Sequence, residues 1–165
     1  MDILWAGWRS RYVRTADEMN AEGCLFCLLA EQDDREALIL ERGRLAYSVL
    51  NRFPYTNGHL MVSPFRHVAD LADLEEGEIA EVWRLLGRAQ QASRAAMSPH
   101  AFNLGANLGG MAGAGIPDHL HFHLVPRWRG DTNFMTAVAD TRVVPEDLDA
   151  TWAGLREALT ALGEA

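Results

Sequence analysis

The 165-residue sequence is poor in cysteine, in long apolar runs and in basic charge. With only two cysteines, an all-cysteine zinc site is excluded and any zinc site needs other ligands. No window is apolar for long enough to span a bilayer, and the first residues lack a signal-peptide layout. We therefore expect a cytoplasmic protein without a membrane partner. Fifteen basic residues against 23 acidic ones give a net charge of −8, which argues against a nucleic acid partner but leaves a small nucleotide site possible.

The length and composition predict one globular domain over residues 1–165. Hydrophobic residues make up 48% of the chain and charged residues 23%, and no internal repeat or linker is visible. Residues 1–22 carry two tryptophans and several arginines, and we interpret them as an N-terminal arm that docks on the body or covers a nucleotide. An apolar stripe after Pro145 predicts a C-terminal helix over residues 145–165.

Three of the six histidines alternate with bulky apolar residues in the stretch from His119 to Leu124. A period of two is typical of a β-strand, with His119, His121 and His123 on one face. Three imidazoles on one face add little to folding, because each ring nitrogen needs a polar partner. This stretch is therefore predicted to be a functional site rather than a solvated strand.

Two chemistries suit such a histidine face: a metal centre, or nucleophilic catalysis by one imidazole. The preceding loop, residues 107–115, is dense in glycine, which lets backbone N–H groups approach an anion. It is not a Walker loop, because no Gly-Lys-Ser/Thr follows. A glycine loop that leads directly into alternating histidines indicates a phosphate bound beside an imidazole nucleophile. We assign the last residues of the loop to substrate binding: Gly113, Ala114 and Gly115.

The alternating histidines followed by Pro126 and Arg127 resemble the signature of the histidine triad (HIT) superfamily of nucleotidyl hydrolases and transferases. The similarity spans nearly the whole chain and is greatest to the bacterial diadenosine tetraphosphate phosphorylase-like HIT proteins. It implies an α+β fold, in which an antiparallel sheet of about five strands carries one long helix, predicted within residues 70–97, and a C-terminal helix. It also implies a homodimer.

The resemblance assigns roles to residues around the triad. It implies that His121 is the nucleophile on an α-phosphate, that His123 stabilises charge, and that His119 completes the catalytic set. In relatives, the position of Asn51 contacts ribose, that of His59 lies near the triad, and that of Asn107 hydrogen-bonds the reacting phosphate. Relatives commonly carry Gln or Ser where this chain has Gly115, so the leaving-group preference is open.

Cys24 and Cys27 form a C-x-x-C motif, which suits a redox pair, half of a metal site or two apolar residues. The helix-opening βαβ pattern of thioredoxin-like redox motifs is absent from the sequence. Metal-bearing relatives of the superfamily use the two cysteines, a histidine after a Pro-x-x motif and the first triad histidine. Here those positions are Cys24, Cys27, His67 and His119, so the resemblance implies a structural zinc and no organic cofactor.

After the triad, Arg127 and Trp128 resemble the phosphorylase-like branch. Trp128 is a candidate for stacking on a base and Arg127 for pairing with distal phosphates, while packing at a subunit interface is an equal alternative for Trp128. The expected substrate is an adenine dinucleoside polyphosphate. Phosphorolysis of diadenosine tetraphosphate by inorganic phosphate is favoured. Two alternatives stay open, namely a hydrolase of dinucleoside polyphosphates or phosphoramidates that releases AMP and a nucleotide-binding regulatory protein. A catalytic metal on all three histidines is disfavoured.

Overall fold

The structure, a computed structural model, describes residues 23–131 and 146–163. The predicted N-terminal arm, residues 1–22, lies outside the described residues. No helix in the described part of the chain combines the length and apolarity that a membrane crossing needs. The described elements are three helices and five strands, α1 (Leu25–Glu31), β1 (Ile39–Arg42), β2 (Ala46–Leu50), β3 (Leu60–Pro64), α2 (Glu76–Met97), β4 (Ala101–Gly105), β5 (Phe122–Arg127) and α3 (Leu148–Ala161).

The five strands form one antiparallel sheet in the order β1-β2-β3-β5-β4. This confirms the predicted α+β class with about five strands. In the register, His123 of β5 lies opposite Met61 of β3 on one side and opposite Gly105 of β4 on the other. The β5 strand is therefore internal to the sheet, and β4 forms its edge.

The two faces of the sheet carry separate apolar clusters. The first lies under α2 and α3 and includes Leu50, Leu60 and Leu124. The second lies on the opposite face under α1 and includes Phe26, Ala37, Ile39, Tyr47, Val49, Met61 and Ile116. Because directly paired residues of antiparallel strands share a face, His123 lies on the same face as Met61. The triad therefore faces α1, away from the long helix.

The long helix α2 ends at Met97 as its sequence predicts and begins at Glu76, inside the predicted range 70–97. The carboxylate of Glu78 accepts a hydrogen bond from the N–H of Glu75 at the N-terminus, which satisfies one of the free donors there. At the C-terminus, Ser98 adopts a left-handed conformation (φ +49°) directly before Pro99. The C-terminal helix predicted from residue 145 begins at Leu148, because the side chain of Asp147 caps it by accepting from the N–H of Ala150 at 2.8 Å.

Candidate active site and metal centre

The alternation predicts that all three triad histidines lie on one strand, and the structure differs. The strand β5 begins at Phe122, so His119 and His121 precede it in an extended segment. The N–H of Leu120 donates to the carbonyl of Val68 at 2.7 Å, outside the ladder of the sheet. The side-chain alternation is kept nevertheless, since Leu120 and Leu124 are buried while the imidazoles of His121 and His123 contact each other with centroids 5.0 Å apart.

His121 is held in one tautomer by a backbone carbonyl. Its Nδ1 lies 2.8 Å from the backbone carbonyl of His119, and a carbonyl only accepts, so Nδ1 carries the hydrogen. The opposite nitrogen, Nε2, therefore carries the lone pair. Burial lowers the pKa of His121, and the hydrogen bond to His119 only partly offsets this effect. The imidazole is thus neutral at neutral pH, which is the form a nucleophile needs.

A phenylalanine that the sequence does not single out stacks on this imidazole. The ring of Phe26 lies 4.6 Å from that of His121, with 28° between the planes, and it is 1% exposed. Phe26 sits on α1 between the two cysteines. Sequence reasoning misses it because a phenylalanine inside a C-x-x-C motif carries no signal of which ring it will contact.

The tautomer of His123 follows from a chain of hydrogen bonds. The N–H of Tyr55 donates to Nδ1 of His59 at 3.1 Å, and the side-chain amide of Asn51 lies 3.3 Å from the same nitrogen. Nδ1 of His59 is therefore an acceptor, and Nε2 of His59 carries the hydrogen that it donates to Nδ1 of His123 at 2.9 Å. Consequently Nε2 of His123 also carries a hydrogen.

That N–H of His123 is buried and finds no partner among residues 23–131 and 146–163. A buried donor left unpaired costs free energy unless a ligand satisfies it, so this atom marks a binding position. Burial, and then the neighbouring His121, lower the pKa of His123 to about 4. His123 therefore stays neutral and remains a hydrogen-bond donor at neutral pH.

Asn51 is predicted to contact ribose, and the structure gives its amide two protein partners. Its Oδ1 accepts from the N–H of Phe53 at 2.9 Å, and its Nδ2 faces His59. The side chain is 6% exposed. In the described residues, Asn51 thus orients His59 and the loop that follows β2.

The glycine loop joins β4 to the triad. Gly109 (φ +79°) and Gly113 (φ +89°) take backbone conformations that side chains rarely adopt, and a short 3-10 turn, Gly110–Ala112, lies between them. Within the described residues, the N–H groups of Ala114 and Gly115 donate to no protein acceptor. Asn107 lies before the turn, in the irregular segment that follows β4. The loop therefore places these two backbone donors six and seven residues before His121.

Arg127 and Trp128 are not brought together with the triad. Arg127 binds both carboxylate oxygens of Asp131, at 2.5 and 2.9 Å, and donates to Asn103 at 2.9 Å. The indole N–H of Trp128 donates to the carbonyl of Met97 at 3.3 Å. Arg127 also lies four residues beyond His123 on the same strand, roughly 13 Å away at about 3.3 Å per residue. Their partners in this structure anchor the chain after β5 against β4 and α2.

The four predicted metal ligands converge. One ligand atom from each of Cys24, Cys27, His67 and His119 lies within 4.8 Å of the others. Nδ1 of His119 is 3.2 Å from Sγ of Cys24 and 3.6 Å from Sγ of Cys27, and Nδ1 of His67 is 3.4 Å from Sγ of Cys27. Two thiolates and two imidazoles form the donor set that tetrahedral zinc prefers.

The ring of His119 is oriented for a metal. Its Nε2 donates to the carbonyl of Pro64 at 3.0 Å, so Nδ1 presents its lone pair to the two sulfurs. Burial raises the pKa of Cys27 to about 11, and the neighbouring Cys24 adds to the effect through a hydrogen bond and its charge. A divalent cation would favour the thiolates by neutralising their charge, so these residues fit zinc.

An ion pair holds the loop that carries His67. The guanidinium of Arg66 binds both carboxylate oxygens of Glu78, at 2.9 and 2.6 Å, and donates to the carbonyl of Asp73 at 2.5 Å. Glu78 is 3% exposed, and the Arg66 hydrogen bond lowers its pKa. The loop after β3 is thereby fixed to the first turn of α2, and His67 lies next to the anchored arginine.

Comparisons with known proteins identify the family of this chain. The HIT domain family model matches residues 32–130. The AP-4-A phosphorylase of Mycobacterium tuberculosis is 39% identical over 154 residues, which cover 90% of this chain and 79% of that protein. The asymmetrical bis(5'-nucleosyl)-tetraphosphatase of Schizosaccharomyces pombe is 32% identical over 56% of this chain and 50% of its own length. A zinc-bound histidine triad family protein from Mycobacterium smegmatis is 27% identical, with a TM-score of 0.69 over 86% of this chain and 96% of that protein.

Proposed function

The chain belongs to the HIT domain family of nucleotide-processing enzymes, and from this we propose that it transfers a nucleotidyl group through a covalent bond to His121. The observation that carries the proposal is the pair of oriented imidazoles. His121 presents a neutral Nε2 with a lone pair, and His123 presents an unpaired buried N–H beside it. One atom can attack phosphorus while the other donates to a phosphoryl oxygen.

The proposed substrate is diadenosine tetraphosphate. Nε2 of His121 attacks the α-phosphorus, a P–N bond forms, and the bond from that phosphorus to the bridging oxygen breaks. ATP leaves with the electron pair, and AMP stays on His121. The Nδ1–H of His121 continues to donate to the carbonyl of His119, which stabilises the positive charge on the ring. The N–H of His123 and the N–H groups of Ala114 and Gly115 stabilise the phosphoryl oxygens, whereas the N–H of Gly113 already donates to the carbonyl of Gly110 at 3.0 Å.

In the second step an acceptor takes the nucleotide. We propose inorganic phosphate as the acceptor: its oxygen attacks phosphorus, the P–N bond breaks, its electron pair returns to Nε2 of His121, and ADP leaves. The name of the 39% identical relative supports this choice. With water as the acceptor the product would be AMP, and the tetraphosphatase relative supports that second candidate.

We propose zinc at the site of Cys24, Cys27, His67 and His119, with a structural role. Four protein ligands leave no open position on a tetrahedral ion, and structural zinc sites share this property. The metal would join α1 to the segment that precedes His121. The carbonyl of His119 then accepts from His121 while the ring of His119 faces the metal, so one residue connects the two sites.

We also propose a homodimer, formed through the edge strand β4. Two large apolar side chains are exposed near this edge, Leu104 (47%) on β4 and Trp83 (54%) on α2. Leu104 pairs with Leu124, and no strand of residues 23–131 and 146–163 lies on the other side of β4, so a second copy can add both main-chain hydrogen bonds and apolar contacts. Sedimentation analysis tests this proposal, because Leu104→Glu is expected to give monomers.

Product analysis tests the proposed reaction. Diadenosine tetraphosphate is incubated with the protein, with and without inorganic phosphate, beside His121→Ala and beside His100→Ala, a control that removes an exposed histidine outside the site. We expect phosphate-dependent ADP and ATP from the wild type and His100→Ala, and none from His121→Ala. AMP and ATP without phosphate would make the protein a hydrolase. Full biological function in His121→Ala would instead favour a nucleotide-binding regulatory role.

A further inference from the structure

The stacking of Phe26 on His121 connects the metal-binding turn to the proposed nucleophile. The imidazole of His121 is fixed at one atom by its hydrogen bond to His119, but a single hydrogen bond leaves the ring free to rotate about the direction of that bond. The face of Phe26 at 4.6 Å and the edge of His123 at 5.0 Å, 75° from coplanar, restrict this rotation. The position of Nε2 therefore depends on the ring of Phe26.

Phe26 itself is held from several sides. The hydroxyl of Tyr47 donates to its backbone carbonyl at 2.7 Å, and Tyr47 is fully buried. Cys24 and Cys27 flank it in the same turn, so a metal bound to both sulfurs would fix the backbone from which the ring projects. A short helix of seven residues has little stability of its own, which makes these external attachments decisive.

We propose that Phe26 is a positioning residue that sets the ring plane of His121. Because Phe26 projects from the turn that carries Cys24 and Cys27, the plane of His121 depends on how firmly that turn is held. This inference rests on the proposed nucleophilic role of His121. In-line attack requires the lone pair of Nε2 to point at phosphorus, and a misplacement of about 1 Å can lower a rate about 100-fold. Phe26 contributes to the attacking geometry and does not touch the reacting atoms.

The test compares the loss of two aromatic rings from the same apolar cluster. Phe26→Leu removes the ring on His121, whereas Phe65→Leu removes a ring that stacks on Tyr47 at 5.2 Å, on the same face of the sheet. Phe26→Met serves as a second variant if the leucine variant does not fold. Three quantities are measured on each protein: bound zinc, the single-turnover rate of nucleotidyl-enzyme formation with its KM, and the NMR resonances of the histidine rings.

We expect Phe26→Leu to bind zinc normally, to keep its KM and to form the nucleotidyl-enzyme about 10- to 100-fold more slowly. The ring proton resonance of His121, assigned with His121→Ala, should move downfield because it loses the shielding of the stacked ring. Phe65→Leu should leave the rate and that resonance near wild type. Equal rate losses in both variants, or a full rate in Phe26→Leu, would overturn the inference.

The failure of the proposed function can be distinguished from the failure of this inference. If His121→Ala retains the nucleotidyl transfer, His121 is not the nucleophile and the proposed function fails. The ring resonance reports on the plane of His121 in the protein without substrate. An unmoved resonance in Phe26→Leu would therefore reject the positioning role of Phe26 even where His121→Ala is inactive.

Discussion

The burial of His123 predicts a loss of stability in mild acid. Burial, reinforced by His121, holds the pKa of His123 at about 4, whereas an exposed histidine titrates near 6.5. Between these two pH values His123 is protonated in the unfolded chain and neutral in the folded protein. The contribution of neutral His123 to the free energy of unfolding is therefore complete above about pH 6.5 and is lost as the pH falls through about 4.

The size of the effect follows from the difference in pKa. One unit of difference between the folded and unfolded pKa corresponds to about 1.4 kcal/mol. Protonation of His123 in the unfolded chain therefore lowers the free energy of unfolding by about 2 kcal/mol at pH 5 and by about 3 kcal/mol below pH 4. These values are upper estimates, because structural relaxation and water entry reduce the penalty of burying a charge.

Urea unfolding at pH 7 and pH 5 measures this contribution in the wild type and in His123→Gln. The variant keeps the other titrating groups, so the difference between the two pH dependences isolates His123. We expect the wild type to lose about 2 kcal/mol more than the variant between the two pH values. An equal loss in both proteins would refute the reasoning and would mean that water reaches the ring in the folded protein.

Two further predictions concern the surroundings of the site. Glu78→Gln should weaken zinc binding about tenfold in a chelator competition, because it releases the arginine that anchors the metal-ligand loop; Glu76→Gln, an exposed neighbour, should not. Unchanged zinc affinity in Glu78→Gln would show that the loop holds its shape alone. Gly58→Ala should lower the free energy of unfolding by about 1 to 2 kcal/mol, since its φ of +69° disfavours a side chain and a Cβ would meet Met97. Gly87→Ala, in a helix with open space around it, should raise the free energy of unfolding by up to about 1 kcal/mol, and a fall there would contradict the propensity argument.

Much of the fold and of the metal centre could be predicted from the sequence because the signals are local or are carried by residue type. The apolar stripe of α2, its acidic first turn and the proline after it give the long helix directly. The resemblance to metal-bearing HIT proteins implies His67 and His119 as partners of the C-x-x-C motif, and the four residues do converge. The positions of the four ligands could therefore be matched from the family pattern before the chain was seen folded.

The partners of Arg127 and Trp128 and the start of β5 depend on side-chain and backbone directions that the sequence pattern does not contain. The sequence suggests substrate binding for Arg127 and, as one of two equal alternatives, for Trp128, and their hydrogen bonds to Asp131 and Met97 are visible only in the folded chain. A strand was predicted to begin at His119, but it begins at Phe122, because the backbone there bonds to Val68 instead of to the sheet. Alternation predicts the faces of side chains and does not fix hydrogen-bond partners.

The sequence by itself determined the class of fold and the family, because the alternating histidines and the periodic apolar residues are local patterns that carry the resemblance to the HIT proteins. Only the tertiary structure decided which ring nitrogen of each imidazole carries the hydrogen. The carbonyl of His119 and the backbone N–H of Tyr55 set the tautomers of His121 and His123, and the ring of Phe26 stacks on that of His121. Backbone donors and buried rings act through distance and direction, and residues far apart along the chain acquire these only when it folds.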